Sequence, residues 1–150
     1  MIQQLAQQLA EMESMIPDAH VENLAVSNGS VGWHLAHNIL VINQVISAVA
    51  ISDPALYRPK QTFIKWVIFL TKRIPRGKVK APKVVEPAQD MDLKEALERA
   101  SIAIINLMSV EKNQFFSHPM FGDLNQRKTI QFLVIHTEHH LKIARDLLKK

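Results

Sequence analysis

The sequence predicts an all-α protein: an up-and-down four-helix bundle with a long crossover connection that contains an extra short helix. Three observations carry that expectation. Apolar residues make up 47% of the chain while glycine occurs only four times and aromatics reach 6%, a mix that suits helices better than sheets. Four long stretches repeat their apolar residues with the helical period. The length, 150 residues, suits one domain spanning residues 1–150 with a core large enough to fold alone.

The first stretch, residues 1–16, places Ile2, Leu5, Leu9, Met12 and Ile16 on one stripe, and Pro17 ends it. Residues 17–29 form a connector closing on the turn signal Ser27-Asn28-Gly29, after which Ser30 is placed to cap the second helix. That helix, Val31 to Ile51, is apolar nearly all round, as expected of a central bundle member. Its few polar residues, His34, His37, Asn38 and Gln44, fall within a sector of about 120°, so His37 and Gln44 are expected to border one inner cavity. Asp53-Pro54 breaks the pattern. A short helix is expected from Gln61 to Arg73, stopped by Pro75-Arg76-Gly77, and Lys78 to Gln89, with two prolines and no helical period, reads as an extended crossover loop. Asp92 and Glu95 form a capping-box-like start to a third long helix, whose stripe of Leu93, Ala96, Leu97, Ala100, Ile104, Leu107 and Met108 holds no ligand-type residue. Phe115 to Asp123 is expected to be a loop, and Asp123 or Asn125 to cap the last helix, about Leu124 to Leu148. Trp33 and Trp66 are read as core, His118 as a turn residue and His20 as exposed.

Composition narrows the chemistry. With no cysteine, disulfides, thiolate metal sites and protein thiol nucleophiles are excluded, so any metal must be held by nitrogen and oxygen. No signal peptide is visible at Met1-Ile2-Gln3-Gln4, and the apolar run Leu35 to Ile51 is interrupted by His37, Asn38, Asn43 and Gln44, a buried helix rather than a membrane span. The expected setting is the cytoplasm. The formal charge of +4 is uneven: Arg58, Lys60, Lys65, Lys72, Arg73, Arg76, Lys78, Lys80 and Lys83 stand between Pro54 and Val85 with no Asp or Glu. Such a run can attract an acidic partner, but it carries no recognisable nucleic-acid-binding motif. A solvated surface is the expectation, and nucleic acid is not an expected partner.

The last helix carries the candidate site. Leu133, His136, Thr137, His140, Ala144 and Leu147 share one face, which puts two imidazoles one turn apart on the side turned inward, with His139 at its edge. Side chains at that separation can reach one ion. They can equally hydrogen-bond a carbonyl or a tyrosine. Glu138 lies about 140° round from Leu133 and is not a metalloprotease-type base. In a bundle, sites form where facing helices converge, and the second helix offers His37, with His34 as the competing choice. Three imidazoles from two helices would hold Zn²⁺, Ni²⁺ or a similar divalent ion with coordination positions open. Asn38 and Gln44 could orient a substrate but cannot take a proton at neutral pH.

Gly32-Trp33-His34-Leu35-Ala36-His37 resembles the second-helix signature of the DinB-like superfamily. The segment from His118-Pro119-Met120-Phe121-Gly122-Asp123-Leu124 through His136-Thr137-Glu138-His139-His140-Leu141 is similar to one branch of it, a domain family of unknown function. The resemblance implies an up-and-down four-helix bundle, often dimeric, with a metal-binding triad that falls here on His37, His136 and His140, and His34 and His139 in supporting positions. It further implies a small-molecule substrate, with the metal activating a low-molecular-weight thiol such as bacillithiol or mycothiol for transfer or isomerisation. Three function classes follow from the sequence: a metal-dependent thiol S-transferase or related hydrolase, a non-catalytic bundle that binds a small ligand or pairs with itself, and an electrostatic dock built on Arg58 to Lys83.

Overall fold

In a computed structural model, which describes residues 1–76, 85–88 and 91–149, the chain is mostly helical with one small antiparallel sheet. The helices are α1 (Ile2–Ser14), α2 (Val31–Ala50), α3 (Phe63–Thr71), α4 (Leu93–Leu107) and α5 (Gln126–Leu147), and the strands are β1 (Phe115–His118) and β2 (Gly122–Asn125). Of the expected crossover loop, residues 78–84 and 89 lie outside the described residues. No helix among the described residues is long and apolar enough to cross a membrane.

The ends of the helices follow local chemistry. Ser30 caps α2 by accepting from the Trp33 N–H, Thr62 caps α3 through the Lys65 N–H, and Asn125 caps α5 through the Lys128 N–H. Each satisfies a backbone donor that has no partner inside its helix. Asp92 caps α4 by accepting from the Lys94 and Glu95 amides, while the Glu95 carboxylate turns to Arg99 at 3.2 Å. The capping box is therefore half-built. Pro17 falls in a 3-10 turn, Ile16–Asp18, directly after α1.

Packing centres on α2, which lies against both α4 and α5, while α1 covers the other side of α5. Leu5, Leu35, Leu107, Leu124, Leu133, Leu141, Ala100 and Ala144 are wholly enclosed, so the apolar stripes expected from periodicity are the faces that meet. On the opposite side of α5, Glu138 is held away from the histidine face. Arg145 clamps Glu11 of α1 with two bonds of 2.6 and 2.7 Å and reaches Glu138 at 2.8 Å, while buried Gln8 donates to the Glu138 carboxylate and the Val134 carbonyl.

The hairpin is a departure from the all-α expectation. Phe115 pairs with Asn125 and His118 with Gly122, so the segment expected to be a loop is two short strands. Four residues a side are too few for alternation to show in the sequence. The turn depends on Gly122, whose φ of +66 is left-handed and whose missing Cβ would lie 2.9 Å from the Lys60 Cβ. A second departure concerns Trp66. It is 62% exposed, with Phe63 and Leu70 beside it on the outside of α3, because this nine-residue helix rests on α5 along one side only, through Ile68 and Phe69.

Gly32 positions the start of α2. Its N–H donates to the Ala19 carbonyl at 2.8 Å, and a Cβ there would meet that same oxygen at 2.9 Å. Gly32→Ala therefore has to push the connector off α2, and overpacking of this kind costs about 1–3 kcal/mol. The expected result is a clear drop in the urea midpoint at unchanged m-value, and an unchanged midpoint would show that the connector is not held by this contact.

Candidate metal centre

Two helices bring the imidazoles together. His34 and His37, one turn apart on α2, face His136 and His140, one turn apart on α5. The ring centroids of His37 and His140 are 4.6 Å apart, those of His136 and His140 4.7 Å, and those of His37 and His136 5.3 Å. One ring nitrogen from each of His37, His136 and His140 lies within 4.8 Å of the other two. Points so spaced sit within about 2.8 Å of a common centre, about 0.7 Å beyond the ~2.0–2.1 Å expected for a zinc–nitrogen bond. A cation held there would need only a small closure of the side chains.

The proton positions are set by the neighbours. His37 Nδ1 is 2.9 Å from the Val85 carbonyl, which can only accept, so Nδ1 carries the proton and Nε2 keeps its lone pair. His140 Nδ1 lies 2.9 Å from His34 Nδ1, and His34 Nε2 lies 2.9 Å from Ser27 Oγ. One proton joins the two Nδ1 atoms. When His140 donates it, the His34 Nε2–H in turn donates to Ser27 Oγ, and the lone pair of His140 Nε2 is free for a ligand. When His34 donates it, that Nε2 is protonated and cannot bind. His136 Nδ1 is enclosed with no hydrogen-bond partner among the described residues, an omission that costs on the order of 1–3 kcal/mol. Three nitrogen donors gathered at this spacing are a set that fits a divalent ion.

The electrostatics keep all four rings neutral. Burial pushes His34 down to about 4, with the charges of His37, His139 and Arg76 adding to it. Burial also lowers His37, against the Val85 hydrogen bond that raises it. His136 is held well below its ordinary value by burial and then by His37, His139 and His118, and His140 by burial and then by His136, His37 and His34. All are neutral at pH 7, the form that binds metals. Three neutral ligands leave the ion its full charge, the condition under which bound water falls towards pKa ~7.

Several expected residues are placed differently. His34 touches His140 rather than competing with His37, and His139 packs edge-on against His140 at 5.0 Å. Trp33 is not simple core: it stacks on His37 at 5.1 Å, nearly parallel. Gln44 is exposed, about 10 Å further along α2 than His37, and does not border the site. Asn38 is fully buried and donates to the Thr137 carbonyl at 3.4 Å, a tie between helices that leaves it no access to a substrate. His118 is more than a turn residue, stacking on Phe121 at 4.1 Å and meeting Phe132, which lies against His136. His20 is exposed, as expected. Ser27 and Val85 were not foreseen as partners. The turn at Ser27 was visible, but nothing local marks a carbonyl 48 positions from His37.

Neutral burial has a sign that can be measured. Because His34 and His118 fall from 6.5 to about 4 on folding, the unfolded chain takes up their protons first. The stability they contribute is complete above pH 6.5 and is lost as pH falls towards 4, by up to ~1.4 kcal/mol per pH unit for each ring. Metal-free protein in chelator should unfold at markedly lower urea at pH 5 than at pH 7.5. Equal midpoints would mean that the rings are already solvated.

A scan of family models matches residues 1–146 to one family, described as a protein of unknown function, DUF1569. No curated protein and no solved structure matches the chain. With all but its last four residues covered, the chain belongs to the DUF1569 family.

Proposed function

We propose that the protein is a divalent-metal-dependent enzyme, a thiol S-transferase or a related hydrolase, with Zn²⁺ or Ni²⁺ held by His37, His136 and His140. The observation that carries this reading is the meeting of three ring nitrogens within 4.8 Å across two helices. The resemblance to the DinB-like superfamily adds α1, α2, α4 and α5 as an up-and-down bundle, a homodimer and a low-molecular-weight thiol as co-substrate, while the sequence composition adds a cytoplasmic setting.

A bound ion supplies Lewis acidity that keeps a sulfur or water ligand ionised near neutral pH. The chain does the remaining work. Val85 holds the Nδ1 proton of His37, and in the tautomer in which the His140 Nδ1–H donates to His34 both rings present their Nε2 lone pairs. Trp33 and Phe132, packed on His37 and His136, give the centre apolar walls. Glu138 is committed to Arg145 and Gln8, and no carboxylate belongs to the histidine cluster among the described residues. This favours a substrate that brings its own acidic proton, a thiol, over a hydrolysis that needs a general base.

Metal analysis of protein purified without chelator tests the reading. About one divalent ion per chain is expected, lost in His37→Ala and in His140→Ala. His34→Ala removes a partner of His140 rather than a ligand and should retain the ion with affinity weakened ~10–100-fold. Protein with all its histidines that takes up none of Zn²⁺, Ni²⁺, Mn²⁺ or Fe²⁺ ends the reading. The missing base also supports a second reading, a bundle that binds a small ligand without turning it over. Full metal occupancy with no consumption of an electrophile in the presence of any low-molecular-weight thiol would select it.

A further inference from the structure

A cavity of about 300 Å³ opens beside the histidine cluster, lined by Lys72, Arg73, Ile74, Arg76, His139 and Lys142. Four of these six are cations, and among the described residues no acid lines it. Nearby carboxylates compensate only in part. Asp146 takes one nitrogen of Arg76 at 2.7 Å, and Glu138 stands 3.9 Å from Lys142. Among the described residues, Lys72 and Arg73 have no ion-pair partner. Cations gathered round a partly enclosed space repel one another, and an anion between them relieves that repulsion. Arg73 and Arg76 add the planar, forked donors that match a carboxylate or phosphate.

The cavity adjoins the candidate metal centre through a single side chain. His139 lines it while its ring meets that of His140 at 5.0 Å, and the charge of Arg76 is felt at both His139 and His34. The volume lies at the small end of ligand sites, enough for one or two anionic groups.

We infer that this cavity is an anion-binding subsite, seating a carboxylate or phosphate group of a small molecule whose other end reaches the three-histidine centre. The inference rests on the metal reading above for the direction of the ligand, and it narrows the substrate to an acidic small molecule. The seat itself is independent of metal, which separates the two tests.

Calorimetric titration with inorganic phosphate and with citrate, at low ionic strength and on chelated protein, tests the seat directly. Both probes should bind the wild-type chain. Arg73→Gln and Lys142→Gln, both at exposed positions, should each weaken binding at least about tenfold by removing a charged donor, and Lys112→Gln, exposed and outside the cavity, should leave it unchanged. Absence of binding, equal binding in all variants, or binding that appears only with Zn²⁺ present and ignores Arg73→Gln would overturn the subsite while leaving the metal reading intact. Cavity-dependent binding by a chain that takes up no metal would uphold the seat and overturn the metal reading alone. Vesicles of phosphatidylglycerol, captured through Arg73 and Lys142 when neither soluble anion binds, would overturn the small-molecule assignment in favour of a lipid headgroup.

Discussion

The seam between α2 and α5 has to keep a cluster of imidazoles neutral inside an apolar core. Moving a polar ring out of water is unfavourable unless its nitrogens find partners, and the surrounding chain is arranged to supply them. The Val85 carbonyl comes from within the crossover segment, Ser27 from the connector before α2, and His34 and His140 answer each other across the seam. Among the described residues, His136 Nδ1 is enclosed without a partner, as are Gln8 Oε1, Asn38 Oδ1 and Thr137 Oγ1.

The other faces of the same two helices explain how the cluster is held in register. Arg145 and Glu138 tie α5 to α1 through Glu11 and Gln8, so α5 cannot rotate without breaking charge-assisted bonds. That network also lowers Glu138: burial alone would raise it, but the hydrogen bonds from Arg145 and Gln8 prevail. At the start of α2, Gly32 lets the connector lie directly on the helix, which sets Ser27 beside His34. The hairpin closes a third side, where His118, Phe121 and Phe132 form a continuous aromatic stack leading to His136.

Charge is partitioned along the chain in a way that acquires meaning only in space. The basic segment reads as a run of surface cations, and Arg58, Lys60, Lys72 and Arg73 are indeed exposed. Lys65 is not. It is buried with its ammonium donating to the Lys60 carbonyl at 2.9 Å, and burial lowers its pKa, helped by Lys128. Lys72, Arg73 and Arg76 gather with Lys142 from α5 around one cavity, while Lys78, Lys80 and Lys83 lie outside the described residues.

The helices, the caps at Ser30 and Asp92, a last cap at either Asp123 or Asn125, and the angular positions of His37, His136 and His140 are all legible in the order of residues. Those properties are local: a 3.6-residue period sets where a side chain points around one axis, and a cap needs only its own first turn. Packing alone reveals that the three rings meet, that Val85 and Ser27 orient the pair they touch, that Gln44 misses the site and Asn38 is sealed within the core, and that Trp66 faces outward. Each of these depends on how far apart two axes lie and where along them they cross, and a period carries neither distance. The hairpin was hidden for a related reason, since two four-residue strands hold too little alternation to stand out until they pair.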